Sequence, residues 1–296
     1  MTSHPVDSKA VSILGIGQMG SALAHAFLRA GYRTTIWNRT PGKAKDLRSA
    51  GAVEAASAVD CMRASSLLIA CLLTSEITLD LLRAIGDLRG CMLLNVANCT
   101  PQKSRDSSAL VHSLGAQGYL QGAIMAAPGV VRAGKATVLC GGSSDEFTAW
   151  QSALQAVGTP ILVSDLPERV PVLDNALISC MEGVFSGFVQ ALALVGAAGI
   201  KETEFTNQLA VPLLSVFEEW LARTATEVEH RSYAVSEGGS PLEVQLESMK
   251  NIEETAKELG VSTRLMSAMH EIIKEAVSRG KGREEVSSLV EILRTD

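Results

Sequence analysis

The sequence predicts an α/β domain followed by an all-helical one, and three observations carry that reading. Short β-rich runs alternate with amphipathic helical stretches from residue 11 to about 165, the strand signals then stop, and the remainder reads helical. The boundary falls between residues 167 and 168, giving domains 1–167 and 168–296. At 296 residues, 47% hydrophobic and 20% charged, the chain can bury a substantial core.

The strand candidates are VSILGIG, YRTTIW, SLLIACLL, CMLLNVA and ATVLCGG. VSILGIG runs into Gly15, Gly17 and Gly20 as GxGxxG, with Ile16, Gln18 and Met19 between them, and a run of apolar residues at helical spacing follows. The first glycine permits a tight turn, the second lets backbone approach a pyrophosphate, and the third lets helix pack on strand. A strand before, a helix after and a second strand at the expected distance make this a dinucleotide site. The helix N-terminus supplies amide donors and a positive dipole for phosphates.

That second strand ends in WNRTPGKAK. A carboxylate there would accept from the ribose 2′-OH of NAD. Asn38 is neutral instead, Arg39 and Lys43 can neutralise a 2′-phosphate, and the Thr40 hydroxyl can donate to it, so the cofactor expected is NADPH. Leu73 and Thr74, following one strand, and Ile124 and Met125, following another, are expected to line the nicotinamide side of the crevice.

From ERVPVLDNALISCMEGVFSG onward the pattern is helical, with Gly199, Gly260 and Gly280 as stop signals and Ser240 and Ser262 as N-caps. Pro171 to Ile200 is apolar enough to raise a membrane span, yet it contains Asp174, Asn175, Glu182 and Gln190. Ionisable groups at that depth are costly in lipid, so a long core helix of a soluble protein is expected and no membrane. Gly183 and Gly187 would let another backbone approach, either at a dimer seam or within the chain.

A formal charge of −6 gives no basic field for a polyanion, so nucleic acid is not an expected partner. The opening MTSHPVDSKA lacks an apolar secretory core, which makes the cytosol the default compartment. Cys61, Cys71, Cys91, Cys99, Cys140 and Cys180 form no CxxC pair and read as reduced thiols. The dispersed histidines offer no metal-ligand spacing, and no metal is expected.

With GIGQMG, WNRTPGKA, LLNVANCTP and GAIMAAPG in this order, the chain resembles the superfamily of 6-phosphogluconate and β-hydroxyacid dehydrogenases. Within it, the chain is most similar to the imine reductases and reductive aminases. The resemblance implies a Rossmann-like domain, a long interdomain helix and a helical domain exchanged between two subunits of a homodimer. Hydroxyacid dehydrogenases of this superfamily carry a lysine on the long helix and an asparagine one turn later. Here those places hold Asp174 and Ile178, and QGAIMAAPG replaces a Ser-Gly-Gly substrate loop.

The replacement has chemical meaning. Hydride delivery to a carbonyl builds negative charge on oxygen, which a carboxylate opposes. Delivery to an iminium removes positive charge, and a carboxylate favours that cation. At ~4 Å and an effective dielectric near ~20 the attraction is about 4 kcal/mol before desolvation.

The resemblance also implies that Asn98 helps hold the amine or the nicotinamide. Where the reductive aminases often have tyrosine, about two turns beyond Asp174, this chain has Glu182. Glu182 recognises a substrate cation, shares a proton with Asp174, or pairs with a basic residue of the partner subunit. For Asp174 the plainer alternative is a carboxylate in the first turn of a helix beginning at Pro171.

Phe217, Trp220, Val244 and Gln245 are placed by the resemblance at the substrate, from the partner subunit. Three Trp, three Tyr and six Phe in the whole chain predict a mainly aliphatic pocket. The expected activity is NADPH-dependent reduction of an imine, or of an iminium formed from a carbonyl plus an amine. A carbonyl or β-hydroxyacid dehydrogenase and a non-catalytic NADP(H)-binding sensor are the alternatives.

Overall fold

The β-rich runs assemble into one eight-stranded sheet in a computed structural model that describes residues 9–236 and 239–294. Most of the opening stretch MTSHPVDSKA lies outside the described residues. The strands are β1 (Ala10–Leu14), β2 (Arg33–Trp37), β3 (Val53–Glu54), β4 (Leu67–Ala70), β5 (Met92–Asn95), β6 (Gly118–Met125), β7 (Ala136–Gly141) and β8 (Gly158–Ser164). Their order is β3-β2-β1-β4-β5-β6-β7-β8. Pairing is parallel from β3 through β6, antiparallel between β6 and β7, and parallel between β7 and β8.

Helices α1 (Gln18–Arg29), α2 (Lys45–Ser49), α3 (Ala58–Arg63), α4 (Ser75–Ile85), α5 (Pro101–Ser113), α6 (Pro128–Arg132) and α7 (Ser144–Leu154) connect the strands. They divide the core in two. One cluster gathers Phe27, Ile36, Leu120 and Trp150, and the other Leu82, Leu93, Val111 and Tyr119. Because β1 is buried along its whole length, it reads as a near-continuous apolar run, broken only by Ser12, instead of alternating.

Three strands carry no clear signal in the sequence. β3 has two residues. β6 places Gly118, Gln121 and Gly122 inside a buried strand, so polar and small residues interrupt its apolar pattern. β8 contains Pro160, which an edge strand tolerates because its outer N–H groups need no partner.

Two compact units divide the chain, the first ending at Ile178 and the second starting at Ser179. The division falls within α8 (Arg169–Ala197). The expectation of a core helix does not hold inside this chain, because only 6% of the apolar window of α8 is buried. By length and composition α8 is also the one helix among the described residues that could cross a membrane. A Cβ at Gly183 or Gly187 would meet nothing within 4 Å, so neither glycine serves close packing among the described residues.

The second unit continues through α9 (Glu202–Phe205), a π-helical turn (Thr206–Ala210), α10 (Val211–Leu214), α11 (Phe217–His230), α12 (Leu242–Glu258), α13 (Arg264–Ala276) and α14 (Val290–Leu293). Leu242, Met249, Ile273, Ala276 and Leu289 form its core. Gly199 and Gly260 take positive φ just after α8 and α12, as stop signals should. The two predicted N-caps are displaced. Pro241 caps α12, whose Leu242 and Glu243 amides donate to the carbonyls of Glu284 (3.0 Å) and Gly282 (2.9 Å). Thr263 occupies the cap of α13, and the Ser262 hydroxyl accepts from the Arg264 amide at 3.4 Å.

Candidate active site

Strand order reverses between β1 and β4, and the crevice at their carboxyl ends is where a doubly wound sheet binds ligands. A cleft of about 590 Å³ lies there, lined by Gly15, Gly17, Gln18, Met19 and Gly20 on one side and Cys71, Leu72 and Leu73 on another. Gly15 needs its freedom, since φ is +95° and a Cβ would lie 2.3 Å from the Cys71 carbonyl oxygen. At Gly20 a Cβ would sit 2.0 Å from the Gly15 carbonyl oxygen, so helix α1 rests on the turn itself.

Gly17 differs, because a Cβ there meets nothing within 4 Å. It is the N-cap of α1, whose first turn has neither a side-chain cap nor an acidic residue. An open backbone with free helix amides fits a pyrophosphate.

Asn38 works inside the turn. Its Oδ1 accepts from the Ile16 amide at 3.2 Å and its Nδ2 donates to the Thr40 carbonyl at 3.0 Å. Ile16 is buried, so its role is to shape the loop. Arg39, Thr40 and Lys43 line the cleft, and among the described residues no carboxylate pairs with either cation. Asp80, the one carboxylate in the lining, accepts from Arg83 at 3.0 Å. This donor set fits a 2′-phosphate.

The remaining cofactor-side residues divide. Leu73 is 85% exposed at the cleft. Thr74 is the N-cap of α4, its Oγ1 accepting from the Ile77 amide at 3.3 Å. Ile124 and Met125 are the last two residues of β6 and do not follow it, and they lie outside the lining of this cleft. The lining also includes Trp37, Ile77 and Leu81, for which the sequence offers no signal beyond apolarity.

A second constellation joins the end of β5 to the start of α8. The Asn98 Nδ2 donates to Asp174 Oδ2 at 2.8 Å and to Asn175 Oδ1 at 3.3 Å. In turn Asn175 Nδ2 donates to the carbonyls of Cys99 (2.9 Å) and Pro171 (2.8 Å), fastening the loop after β5 to the helix. Asn175 joins this constellation with no sequence signal beyond polarity inside an apolar run. Among the described residues no Lys, Arg or His nitrogen forms an ion pair with Asp174. Its negative charge is oriented by a neutral amide and left uncompensated. Burial, with the Asp174 charge adding to it, pushes the Cys99 thiol up.

Because α8 starts at Arg169, its first turn holds no acidic residue and Asp174 lies beyond it. The helix-dipole alternative therefore loses its basis.

In the second unit Glu182 is exposed on α8, without an ion pair among the described residues. Phe217 and Trp220, one turn apart on α11, bring their rings to 5.1 Å at 50° and stay 36% and 45% exposed. Val244 is exposed and Gln245 half-buried in the first turn of α12. Among the described residues no cluster of three or more His, Cys, Asp or Glu could hold a metal.

Two family models match. Residues 10–165 match the NAD binding domain of 6-phosphogluconate dehydrogenase, and residues 167–295 match the C-terminal domain of NADPH-dependent reductive aminase-like proteins. An NADPH-dependent reductive aminase of Aspergillus oryzae is 35% identical over 97% of this chain and 98% of its own length. The reductive aminase of Aspergillus terreus, solved with NADPH and ethyl levulinate, superposes with a TM-score of 0.91 at 34% identity, covering 97% and 99% of the two chains. An imine reductase of Myxococcus stipitatus in complex with NADP+ gives a TM-score of 0.91 at 29% identity, covering 96% and 100%.

Proposed function

This chain belongs to the NADPH-dependent reductive aminase-like family, and from that premise we propose that Asp174, oriented by Asn98, selects a cationic C=N electrophile. The protein is an NADPH-dependent oxidoreductase that reduces imines or iminium ions. NADPH, when bound, supplies the hydride.

The chain's own residues set the conditions for that step. Gly15, Gly17 and Gly20 shape the phosphate turn, and Arg39 with Lys43 recognises the 2′-phosphate. Asp174 raises the fraction of an imine that is protonated, because its charge favours the cation over the neutral base. Asn98 keeps one carboxylate oxygen directed.

The observation that carries this reading is the Asn98–Asp174 hydrogen bond at 2.8 Å with no cation paired to the carboxylate among the described residues. A hydroxyacid dehydrogenase needs a cation or proton donor at this place to meet the charge that grows on oxygen. Glu182, exposed and unpaired within the described residues, is assigned to recognition of the amine or of a second cationic group on the substrate.

The unit of function in this reading is a homodimer. Support comes from α8, where Val184, Phe185 and Val189 are 57%, 54% and 54% exposed and the surface at Gly183 and Gly187 is open. Apolar faces of this kind are normally covered. A second copy would cover α8 and bring Phe217, Trp220, Val244 and Gln245 to the substrate.

The test is NADPH oxidation with 1-pyrroline, and with a ketone plus a primary amine, beside hydroxyacids with NADP+. Turnover of the C=N substrates is expected. Activity on hydroxyacids alone would overturn the assignment, and cofactor binding without any turnover would favour a redox sensor.

A further inference from the structure

Behind the Asn98 loop lies a buried polar trio that the reaction as described does not use. Asn95, Tyr119 and Gln121 are 0%, 1% and 2% exposed. Tyr119 and Gln121 stand two apart on β6 and therefore face the same side of the sheet, and Gln121 is directly opposite Asn95 across the β5–β6 pair. The Tyr119 hydroxyl donates to Gln121 Oε1 at 2.6 Å. Asn95 Nδ2 donates to that hydroxyl at 3.3 Å and to Gln121 Oε1 at 3.4 Å.

Apart from a 3.4 Å bond from Gln121 Nε2 to the Gly122 carbonyl, the trio's remaining bonds go to the backbone leading into Asn98. Gln121 Nε2 donates to the carbonyls of Asn95 (3.1 Å) and Ala97 (3.2 Å), and Asn95 Oδ1 accepts from the Ala97 amide at 3.1 Å. The Ala97 carbonyl belongs to the same peptide plane as the Asn98 amide. Burial also pushes the Tyr119 phenol up, so it remains a donor across the working pH range.

The sheet itself does not need these groups, since the β5–β6 ladder is closed by backbone hydrogen bonds. In an apolar trio of the same shape the bonds among the three side chains would vanish with both partners and cost little, whereas the Asn95 and Ala97 backbone groups would lose theirs. What an apolar trio would lack is this hold on the backbone from Asn95, the last residue of β5, to Ala97, which leads into Asn98.

We propose that Gln121, braced by Tyr119 and Asn95, is a positioning residue for C=N reduction, fixing the Ala97–Asn98 peptide and thereby aligning the Asn98 carboxamide on Asp174. The proposal rests on the assignment of Asp174 and Asn98 to the reaction.

The test is a double-mutant cycle on the full-length enzyme with Gln121→Met and Asn98→Ala. It reads kcat and KM for imine reduction together with NADPH affinity. In the parent background Gln121→Met lowers kcat by about tenfold, a part of the roughly hundredfold that a misplacement of about 1 Å can cost. NADPH affinity is unchanged. In the Asn98→Ala background the same substitution changes kcat by less than about twofold, because its effect runs through a side chain already removed.

An equal loss in both backgrounds, or none in the parent, overturns the proposal. Should Gln121→Met fail to fold, Tyr119→Phe, which removes one hydroxyl, takes its place in the cycle with the same criterion. Absence of imine turnover in the parent would refute the assigned reaction instead. The positioning claim is then decided by the crystal structure of the variant. Asn98 Nδ2 beyond hydrogen-bond reach of Asp174 supports it, and an undisturbed pair overturns it.

Discussion

Asn98 donates its carboxamide N–H to the Asp174 carboxylate at 2.8 Å, linking the end of β5 to helix α8 across 76 positions of sequence. Hydrogen bonds to an ionised group are worth about 1.5–3 kcal/mol, so this one decides where the negative charge points. Replacing Asn98 by alanine should lower kcat for imine reduction by about tenfold or more, the rate equivalent of that energy. NADPH affinity should change little, since Asn98 does not line the phosphate cleft. Steady-state kinetics beside a cofactor titration measures both, and an unaltered kcat would show that the contact has no part in turnover.

Coenzyme choice should reside in Arg39 and Lys43. Each offers a charge-assisted hydrogen bond to a 2′-phosphate, so Arg39→Ala should reduce the preference for NADPH over NADH by about tenfold or more, with a smaller change for Lys43→Ala. The measurement is kcat/KM for both coenzymes. Equal losses with NADPH and NADH would mean that the arginine supports the turn and not the phosphate.

Two glycines of the phosphate turn should fail in different ways. Gly20→Ala puts a Cβ 2.0 Å from the Gly15 carbonyl oxygen and should lower the melting temperature, because backbone has to move. Gly17→Ala adds its methyl to open space and should leave the fold intact while weakening NADPH binding. Melting curves and cofactor titrations of the pair separate the effects. A Gly17→Ala variant that binds NADPH normally would place the pyrophosphate elsewhere.

Buried thiols give the fold an alkaline limit. Burial pushes Cys61 and Cys140 up to about 12, and Cys71 and Cys91 up to about 11. Above about 8.5 the unfolded chain releases thiol protons that the native chain retains. Stability from this source is therefore complete below that pH and is lost as pH climbs toward the native values. Urea unfolding followed from neutral pH upward should show the decline, with a shallower slope in Cys140→Ala. An identical slope would remove Cys140 from the account.

The sequence was most informative where local chemistry dictates backbone. GxGxxG needs its glycines at fixed places, and WNRTPGK exposes its cations whatever the rest of the chain does. The Asp174 carboxylate stood out because a charge inside an apolar run demands an explanation.

Legibility failed where tertiary contacts decide. Asn175 and Gln121 look like stray polar residues until β5, β6 and α8 are brought together. β8 hid its strand character behind Pro160, and Ser240 lost the cap of α12 to Pro241 because two backbone carbonyls already satisfied the first amides. The apolar composition of α8 suggested a core helix, since hydropathy alone does not say whether the chain buries that face itself.

The central claim is that an uncompensated carboxylate favours a cationic electrophile, and Asp174→Ala tests it most directly. NADPH affinity and kcat for 1-pyrroline should be measured on the same preparation. We predict unchanged cofactor binding with imine reduction lowered by at least about tenfold, as for a group that acts on charge in the transition state. Undiminished imine reduction, or loss of NADPH binding in step with the rate, would contradict it.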